Sequence, residues 1–164
     1  MTQFILLITL IFSGPAPSEP ATRNCDDLVR RLNKHDYEAT ESVSISHNGD
    51  MGIEIFLLVS DKSLVINFRT KGGGKCIDDD DEMTVTLVNG QEFTMTNDNQ
   101  FNCDGVYSQH FGENNGKDHE LNQLVNNEVS RLRITTNEIP VTQELTPAQG
   151  AKLNALIGCL ADKL

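Results

Sequence analysis

The sequence is short of aromatic and basic side chains. Its 164 residues include no tryptophan, two tyrosines and seven phenylalanines, and 13 lysines and arginines stand against 24 aspartates and glutamates. Nucleic-acid surfaces need clustered lysine and arginine, so a net charge of −11 argues against a nucleic-acid partner. The same charge argues against an anionic membrane surface. The scarcity of tryptophan and tyrosine disfavours a carbohydrate-binding face, because such faces favour these residues.

Familiar catalytic motifs are also absent. The four histidines form no H-E-x-x-H, no G-x-S-x-G is present, and the glycines at residues 72–74 lack the spacing of a Walker A phosphate loop. We interpret these glycines as a flexible connector. We therefore expect a non-enzymatic domain, with a small hydrolase that has no recognisable motif as an alternative.

No apolar run reaches the roughly 20 residues that a membrane-spanning helix needs. Residues 1–12 are nearly all apolar, which is the length of a signal-peptide core, with a buried N-terminal strand as the alternative. We expect residues 1–18 to be a signal peptide, 19–24 a disordered leader and 25–164 one disulfide-stapled domain. The mature protein is then secreted or periplasmic and does not insert into a membrane.

Four cysteines are arranged around one hairpin signal. Asn89-Gly90 separates two alternating, β-rich runs, and Cys76 and Cys103 each lie 13 residues from this pair. Closing the hairpin brings the two thiols together, which predicts a Cys76–Cys103 disulfide and leaves Cys25–Cys159 as the second. A zinc site with four thiolate ligands is the rival hypothesis, but zinc ligands usually come in short paired spacings that this sequence lacks.

The register of this hairpin follows from its apolar residues. A three-residue loop at residues 88–90, with Gly90 as a bulge, puts five apolar side chains on one face: Met83, Val85, Leu87, Phe93 and Met95. A two-residue loop would mix them with threonines. The favoured register leaves the cysteines one residue out of opposition, and we expect an irregularity within residues 78–82 to absorb the difference.

Hydrophobic periodicity predicts the remaining elements. A helix is expected over residues 25–34, with a strand as the alternative, and a short helix is expected to begin at a capping Asp118. Strands are expected over residues 38–46, 51–60, 64–70, 106–111, 130–136 and 138–143. Thr146, Pro147 and Gln149 predict a capped C-terminal helix. Its apolar stripe is expected to contain Leu153, Leu156, Ile157, Leu160 and Leu164. The fold class is therefore α+β, an antiparallel, hairpin-built sheet with a short internal helix and a C-terminal amphipathic helix.

Five adjacent carboxylates form the most prominent polar feature. They are Asp78, Asp79, Asp80, Asp81 and Glu82, and Asp98 is expected to approach them from the facing strand. Calcium prefers oxygen ligands of this kind, so a calcium-binding or calcium-stabilised module is one hypothesis. The spacing is not that of an EF-hand, and a solvated acidic rim is the alternative. No other cofactor is expected.

Several scaffold features occur together between Cys76 and Leu160. They are Cys76, the turn at Gly90, the run Phe101-Asn102-Cys103-Asp104-Gly105, the strand at residues 132–134, and the ending from Leu145 to Leu160. In these features the chain resembles uncharacterised small secreted proteins of Bacteroidetes-type bacteria, although its acidic run is more extreme. The resemblance implies secretion and disulfides and brings no catalytic residue. The expected role is protein interaction or envelope-associated binding, with an unknown protein partner.

Overall fold

The structure is a computed structural model that describes residues 25, 29–32, 37–40, 43–47, 51–60, 62–72, 75–112 and 116–164. The predictions of a signal peptide at residues 1–18 and a leader at residues 19–24 lie outside these residues. The same holds for the centre of the glycine connector.

The described residues form ten strands and two helices. All the paired strands are antiparallel. The strands are β1 (Val29–Leu32), β2 (Tyr37–Thr40), β3 (Val43–His47), β4 (Met51–Ser60), β5 (Ser63–Lys71), β6 (Glu82–Leu87), β7 (Glu92–Thr96), β8 (Val106–Gly112), β9 (Val129–Ile134) and β10 (Val141–Glu144). The helices are α1 (Asp118–Asn126) and α2 (Pro147–Ala161). The predicted α+β class is confirmed.

The strands divide into two sheets, where the sequence predicted one. The first has the order β1-β2-β4-β5-β8, with β3 also paired to β4, and the second has the order β10-β9-β6-β7. The separation arises because β6 pairs with β9 and not with a strand of the first sheet. Strand β4 is central, as its two apolar faces predicted, since it pairs with β2, β3 and β5.

The helix expected over residues 25–34 is wrong in its described part. Val29–Leu32 is the strand β1, which pairs with β2 along its whole length. A helix of about ten residues is marginal without packing partners, whereas a neighbouring strand offers a complete ladder of backbone hydrogen bonds. The alternative interpretation as a strand is therefore the correct one.

The hairpin of β6 and β7 has the predicted register. Met83 lies opposite Met95, and the N–H of Leu87 donates to the carbonyl of Gln91 across a three-residue loop (2.9 Å). Gly90 has φ of +86°, the left-handed conformation that the bulge requires and that glycine adopts without steric cost. One face of the hairpin is therefore buried, as expected from its apolar residues.

The irregularity that aligns the two cysteines lies on the strand opposite the one predicted. Asp81 still faces Asn97 in the hairpin register, but Ile77 faces Asn102, which is one residue out of that register. The three residues between Ile77 and Asp81 therefore face four residues, 98–101, between Asn97 and Asn102. The acidic segment forms a turn, and the extra residue is in the returning chain.

Helix α2 packs between the two sheets, in contact with β4, β9 and α1. The predicted capping box is present, since Thr146 and Gln149 exchange hydrogen bonds at the helix start. The predicted stripe is buried at Leu153, Leu156, Ile157 and Leu160. The prediction that Leu164 belongs to this stripe is wrong, because Leu164 lies beyond the end of α2 and is 43% exposed.

Helix α1 begins differently from the prediction. Lys117 occupies the N-cap position with no side-chain capping bond, and Asp118 is the first helical residue and not the cap. The helix end is closed from outside by Asn154 of α2. The Asn154 side-chain amide donates to the carbonyls of Leu124 (2.9 Å) and Val125 (2.8 Å), so one side chain joins the two helices.

The chain after β7 links the sheets by covering the free edge of β8. The N–H of Asp98 donates to the carbonyl of Ser108 (3.0 Å), and the N–H of Ser108 donates to the Asn97 side-chain carbonyl (3.0 Å). The N–H of His110 then donates to the Asp98 carboxylate (2.8 Å). These bonds satisfy the outward backbone groups of an edge strand, which would otherwise be open to pairing with another chain.

Candidate functional site

The open end of the hairpin is held by a disulfide bond and by backbone hydrogen bonds. Both predicted disulfides are present, Cys25–Cys159 and Cys76–Cys103, so the zinc hypothesis is wrong. Ile77 and Asn102 exchange two backbone hydrogen bonds (2.8 and 3.0 Å) beside the second disulfide. We call this region, comprising residues 75–82, 97–104 and 135–139, the disulfide end.

The third segment of the disulfide end is attached through the same cysteine. The N–H of Cys76 donates to the side-chain carbonyl of Asn137 (3.0 Å), and the N–H of Asn137 donates to the carbonyl of Cys76 (3.1 Å). Three chain segments that are distant in sequence are therefore held together around one disulfide. The backbone that carries their outer side chains is therefore held in place, which reduces the entropy lost when this surface binds a partner.

The acidic run folds into a tight turn within this region. The N–H of Asp78 donates to the Asp81 carboxylate (2.7 Å), and the N–H of Asp81 donates to the carbonyl of Asp78 (3.3 Å). Asp79 and Asp80, at the tip of the turn, are exposed. Partial burial raises the pKa of the Asp78 carboxyl, and repulsion from the carboxylates of Asp80, Asp81 and Asp79 raises this pKa further.

Asp98 does not join the other five predicted metal ligands. Its carboxylate is bound by the Lys117 ammonium group and by the backbone N–H of His110. Its neighbour Asn97 does reach the acidic turn, where the side-chain amide donates to the carbonyl of Asp78 (2.7 Å). Among the described residues, no group of three or more histidine, cysteine, aspartate or glutamate side chains is arranged to hold a metal ion.

Two large apolar side chains are exposed at the disulfide end. Phe101 is 60% exposed and Ile139 is 73% exposed. The segment carrying Ile139 is held by a bond from the Thr136 hydroxyl to the Ile139 carbonyl (3.1 Å) and by the ion pair of Lys75 with Glu138 (3.2 Å). The braced backbone therefore presents apolar surface to solvent beside a dense negative charge.

A buried polar network joins β7 and β8 next to the disulfide end. The Tyr107 hydroxyl donates to the carbonyl of Met95 (2.6 Å), and the Gln109 amide donates to the Tyr107 oxygen (2.9 Å) and to the carbonyl of Thr96. Lys117 donates to the other side of the Gln109 amide (2.9 Å). Burial raises the pKa of Tyr107, so its hydroxyl stays protonated and continues to donate. The network fixes β7 against β8.

The two histidines whose side chains the structure describes, His110 and His119, do not form a recognisable catalytic arrangement. His110 and His119 are both exposed, and neither ring is hydrogen-bonded to another side chain in the described part of the chain. His119 does border a small pocket of about 280 Å³ with Glu92 and Phe93. The hypothesis of a small hydrolase without a motif stays a prediction, which no observation here favours.

Sequence reasoning did not select the two exposed apolar residues or the cation that binds Asp98. In the sequence, Phe101 belongs only to the run that carries the resemblance. The strand predicted over residues 138–143 includes Ile139, whereas β10 begins at Val141. Lys117 lies 19 residues from Asp98, and its approach depends on how β8 and α1 fold back. No local pattern could have revealed these contacts.

Comparison of the chain with family models, with curated proteins and with solved structures found no match. The resemblance to uncharacterised secreted proteins therefore remains an expectation. Neither of the two described helices is long and apolar enough to cross a bilayer. The fold and the site together define a two-sheet α+β domain with two disulfide bonds and an acidic, partly apolar end.

Proposed function

We propose that this chain is an exported, non-enzymatic domain that binds another protein through its disulfide end. The two disulfide bonds support export, because such bonds persist in oxidising compartments such as the extracellular space or the periplasm. The apolar run at residues 1–12 supports it independently, since it has the length of a signal-peptide core.

The observation that carries the proposal is the exposure of Phe101 and Ile139 on a braced scaffold. Single exposed apolar residues are common on soluble proteins and need no explanation. Here, however, both residues belong to segments that are hydrogen-bonded to residues 76–77, next to a disulfide. Aromatic and aliphatic anchors held in place by their scaffold are typical of binding surfaces, because little conformational freedom is lost when they bind.

The charge of the disulfide end indicates the kind of partner. The five carboxylates of residues 78–82 are joined there by those of Asp104 and Glu138, and Glu138 pairs with Lys75. Charge complementarity favours a partner whose basic residues flank an apolar pocket. Such a partner would accept the exposed apolar side chains and attract the acidic turn at the same time.

Site-specific photo-cross-linking tests this proposal. A photoreactive amino acid at position 101 of the full chain should give a discrete adduct in an extract of the producing cells and their medium. Excess unlabelled wild-type protein should compete for that adduct. An unlabelled Phe101→Ser/Ile139→Ser variant should not compete for the adduct, because it retains the acidic turn but lacks both apolar side chains.

Position 88 offers a matched control. Val88 is 63% exposed, close to the 60% of Phe101, but it lies in the turn at the other end of the same hairpin. The same photoreactive group at Val88 should give no competed adduct. Two results would contradict binding through the disulfide end. One is that the protein labelled at position 101 remains an uncross-linked monomer, and the other is that positions 88 and 101 give equal adducts.

A calcium-dependent role of the acidic turn is the second candidate. Partial burial and then repulsion from neighbouring carboxylates raise the pKa of Asp78, and a bound cation would relieve the repulsion. Asp98 does not contribute in the present geometry, since it is paired with Lys117. A melting temperature that is the same in millimolar calcium and in EDTA would exclude a stabilising calcium site.

A further inference from the structure

A groove lies at the opposite end of β8 from the disulfide end, where α1 and the end of α2 meet the strand. Its volume is about 460 Å³, within the size range typical of small-molecule sites. Leu121, Val125 and Ala161 contribute its apolar lining, and all three are partly buried side chains that pack against the core. The groove therefore has a floor of fixed apolar side chains.

Two carboxylates also line the groove. Asp118 is at the first turn of α1 and Asp162 is the C-cap residue of α2. Neither carboxylate makes a hydrogen bond or an ion pair with the described part of the chain, and no basic side chain occurs among the described lining residues. The groove is therefore apolar below, with two carboxylates at its rim. The lysines next to them in sequence are Lys117, which pairs with Asp98, and Lys163.

Asp162 lies at a helix end, where a negative charge is unfavourable. The C-terminal end of a helix carries a partial negative charge and is normally flanked by lysine, arginine or histidine. The last turn of α2 has no basic residue, and an aspartate occupies its cap. A positive charge in the groove would be attracted by both carboxylates and by the end of the helix.

We propose that this groove binds a small organic cation, an ammonium group attached to a short alkyl or aryl body. The ammonium is placed between Asp118 and Asp162, and the apolar body lies on Leu121, Val125 and Ala161. This site is separate from the disulfide end and does not depend on the protein-binding role.

Titration of the isotope-labelled full chain with hexylammonium, followed by NMR, tests the proposal. Saturable shifts are expected at the backbone amides of Leu121, Val125 and Ala161. Hexanol has the same apolar body without the charge, and its binding should be weaker by roughly fivefold, the effect of two exposed ion pairs. Absence of saturable shifts at these amides would overturn the proposal.

Charge-matched variants separate a specific site from general attraction to an acidic protein. Asp118→Asn/Asp162→Asn should weaken hexylammonium binding roughly fivefold. Asp79→Asn/Asp80→Asn changes the net charge by the same amount at the acidic turn and should leave the affinity unchanged. All four side chains are exposed, so both variants should fold, which the NMR spectrum itself reports. Equal weakening by the two variants would refute the site.

Discussion

Replacement of Gly150 by alanine should destabilise the protein, although the residue is inside a helix. At an ordinary helical position, alanine is more stable than glycine by about 1 kcal/mol. A Cβ at residue 150 would lie 2.5 Å from the backbone carbonyl oxygen of Val129, in β9. Since real Cβ atoms essentially never approach within 3.0 Å of another heavy atom, α2 or β9 would have to move.

The magnitude follows from these opposing effects. Overpacking of a core typically costs about 1–3 kcal/mol, and a backbone contact that cannot rotate away places Gly150→Ala in the upper part of that range. Subtracting the gain in helix propensity leaves a net loss of about 1–2 kcal/mol. For a domain of this size, the melting temperature should fall by about 3–6 °C.

Urea unfolding with both disulfides intact measures this change directly. Ala151 is the adjacent, exposed residue of the same helix, so Ala151→Gly is a control for helix propensity alone. It should cost about 1 kcal/mol. If Gly150→Ala instead raised the unfolding free energy by about 1 kcal/mol, the close approach of α2 to β9 would be wrong.

Three further perturbations test other parts of the structure. Asn154→Asp keeps the side-chain shape but loses the amide donors that bind the carbonyls at the end of α1. Urea unfolding should show a free energy of unfolding lower by about 1–3 kcal/mol, and an unchanged value would contradict that contact. Cys76→Ser/Cys103→Ser removes a disulfide between residues separated by 27 positions. The free energy of unfolding should fall by about 3–4 kcal/mol in chemical unfolding, and a fall of less than about 1 kcal/mol would contradict a stabilising role of this bond. Asp80→Asn removes the largest carboxylate repulsion on Asp78, so an NMR titration should show a lower pKa for Asp78; an unchanged value would show that repulsion is negligible there.

Much of the fold was predictable where short-range patterns decide it. The register of the β6–β7 hairpin followed from the segregation of its apolar residues, because a slip by one residue turns every side chain to the other face. The capping box of α2 followed from Thr146, Pro147 and Gln149, whose roles depend only on neighbouring backbone groups. Cys76–Cys103 followed from the hairpin, since the turn places both cysteines at its open end.

Predictions failed where a distant partner decides the outcome. The segment Val29–Leu32 has helical spacing but forms a strand, because β2 offers it a ladder of hydrogen bonds. The ion pair of Asp98 with Lys117, which comes from the start of α1, was also not predictable from the sequence. Leu164 continues the apolar spacing of α2 after the helix itself has ended.

The candidate site divides in the same way. Its carboxylates and its disulfide were visible in the sequence, whereas the exposure of Phe101 and Ile139 was not. Apolar residues are more often buried than exposed, and sequence alone cannot show which of them lack a covering element. The groove beside α1 was equally hidden, because its walls come from three elements that meet only after folding.

The sequence by itself determined the α+β class, the hairpin register, the two disulfide partners and the start of the last helix. Each depends on alternation, spacing or a capping residue within a short stretch, or on the symmetry of one turn, which pairs Cys76 with Cys103 and leaves Cys25 for Cys159. Only the tertiary structure decided that there are two sheets, that Gly150 permits α2 to approach β9, and that apolar side chains stand exposed beside the acidic turn. These features depend on packing between segments far apart in the chain, for which no short-range pattern carries the information.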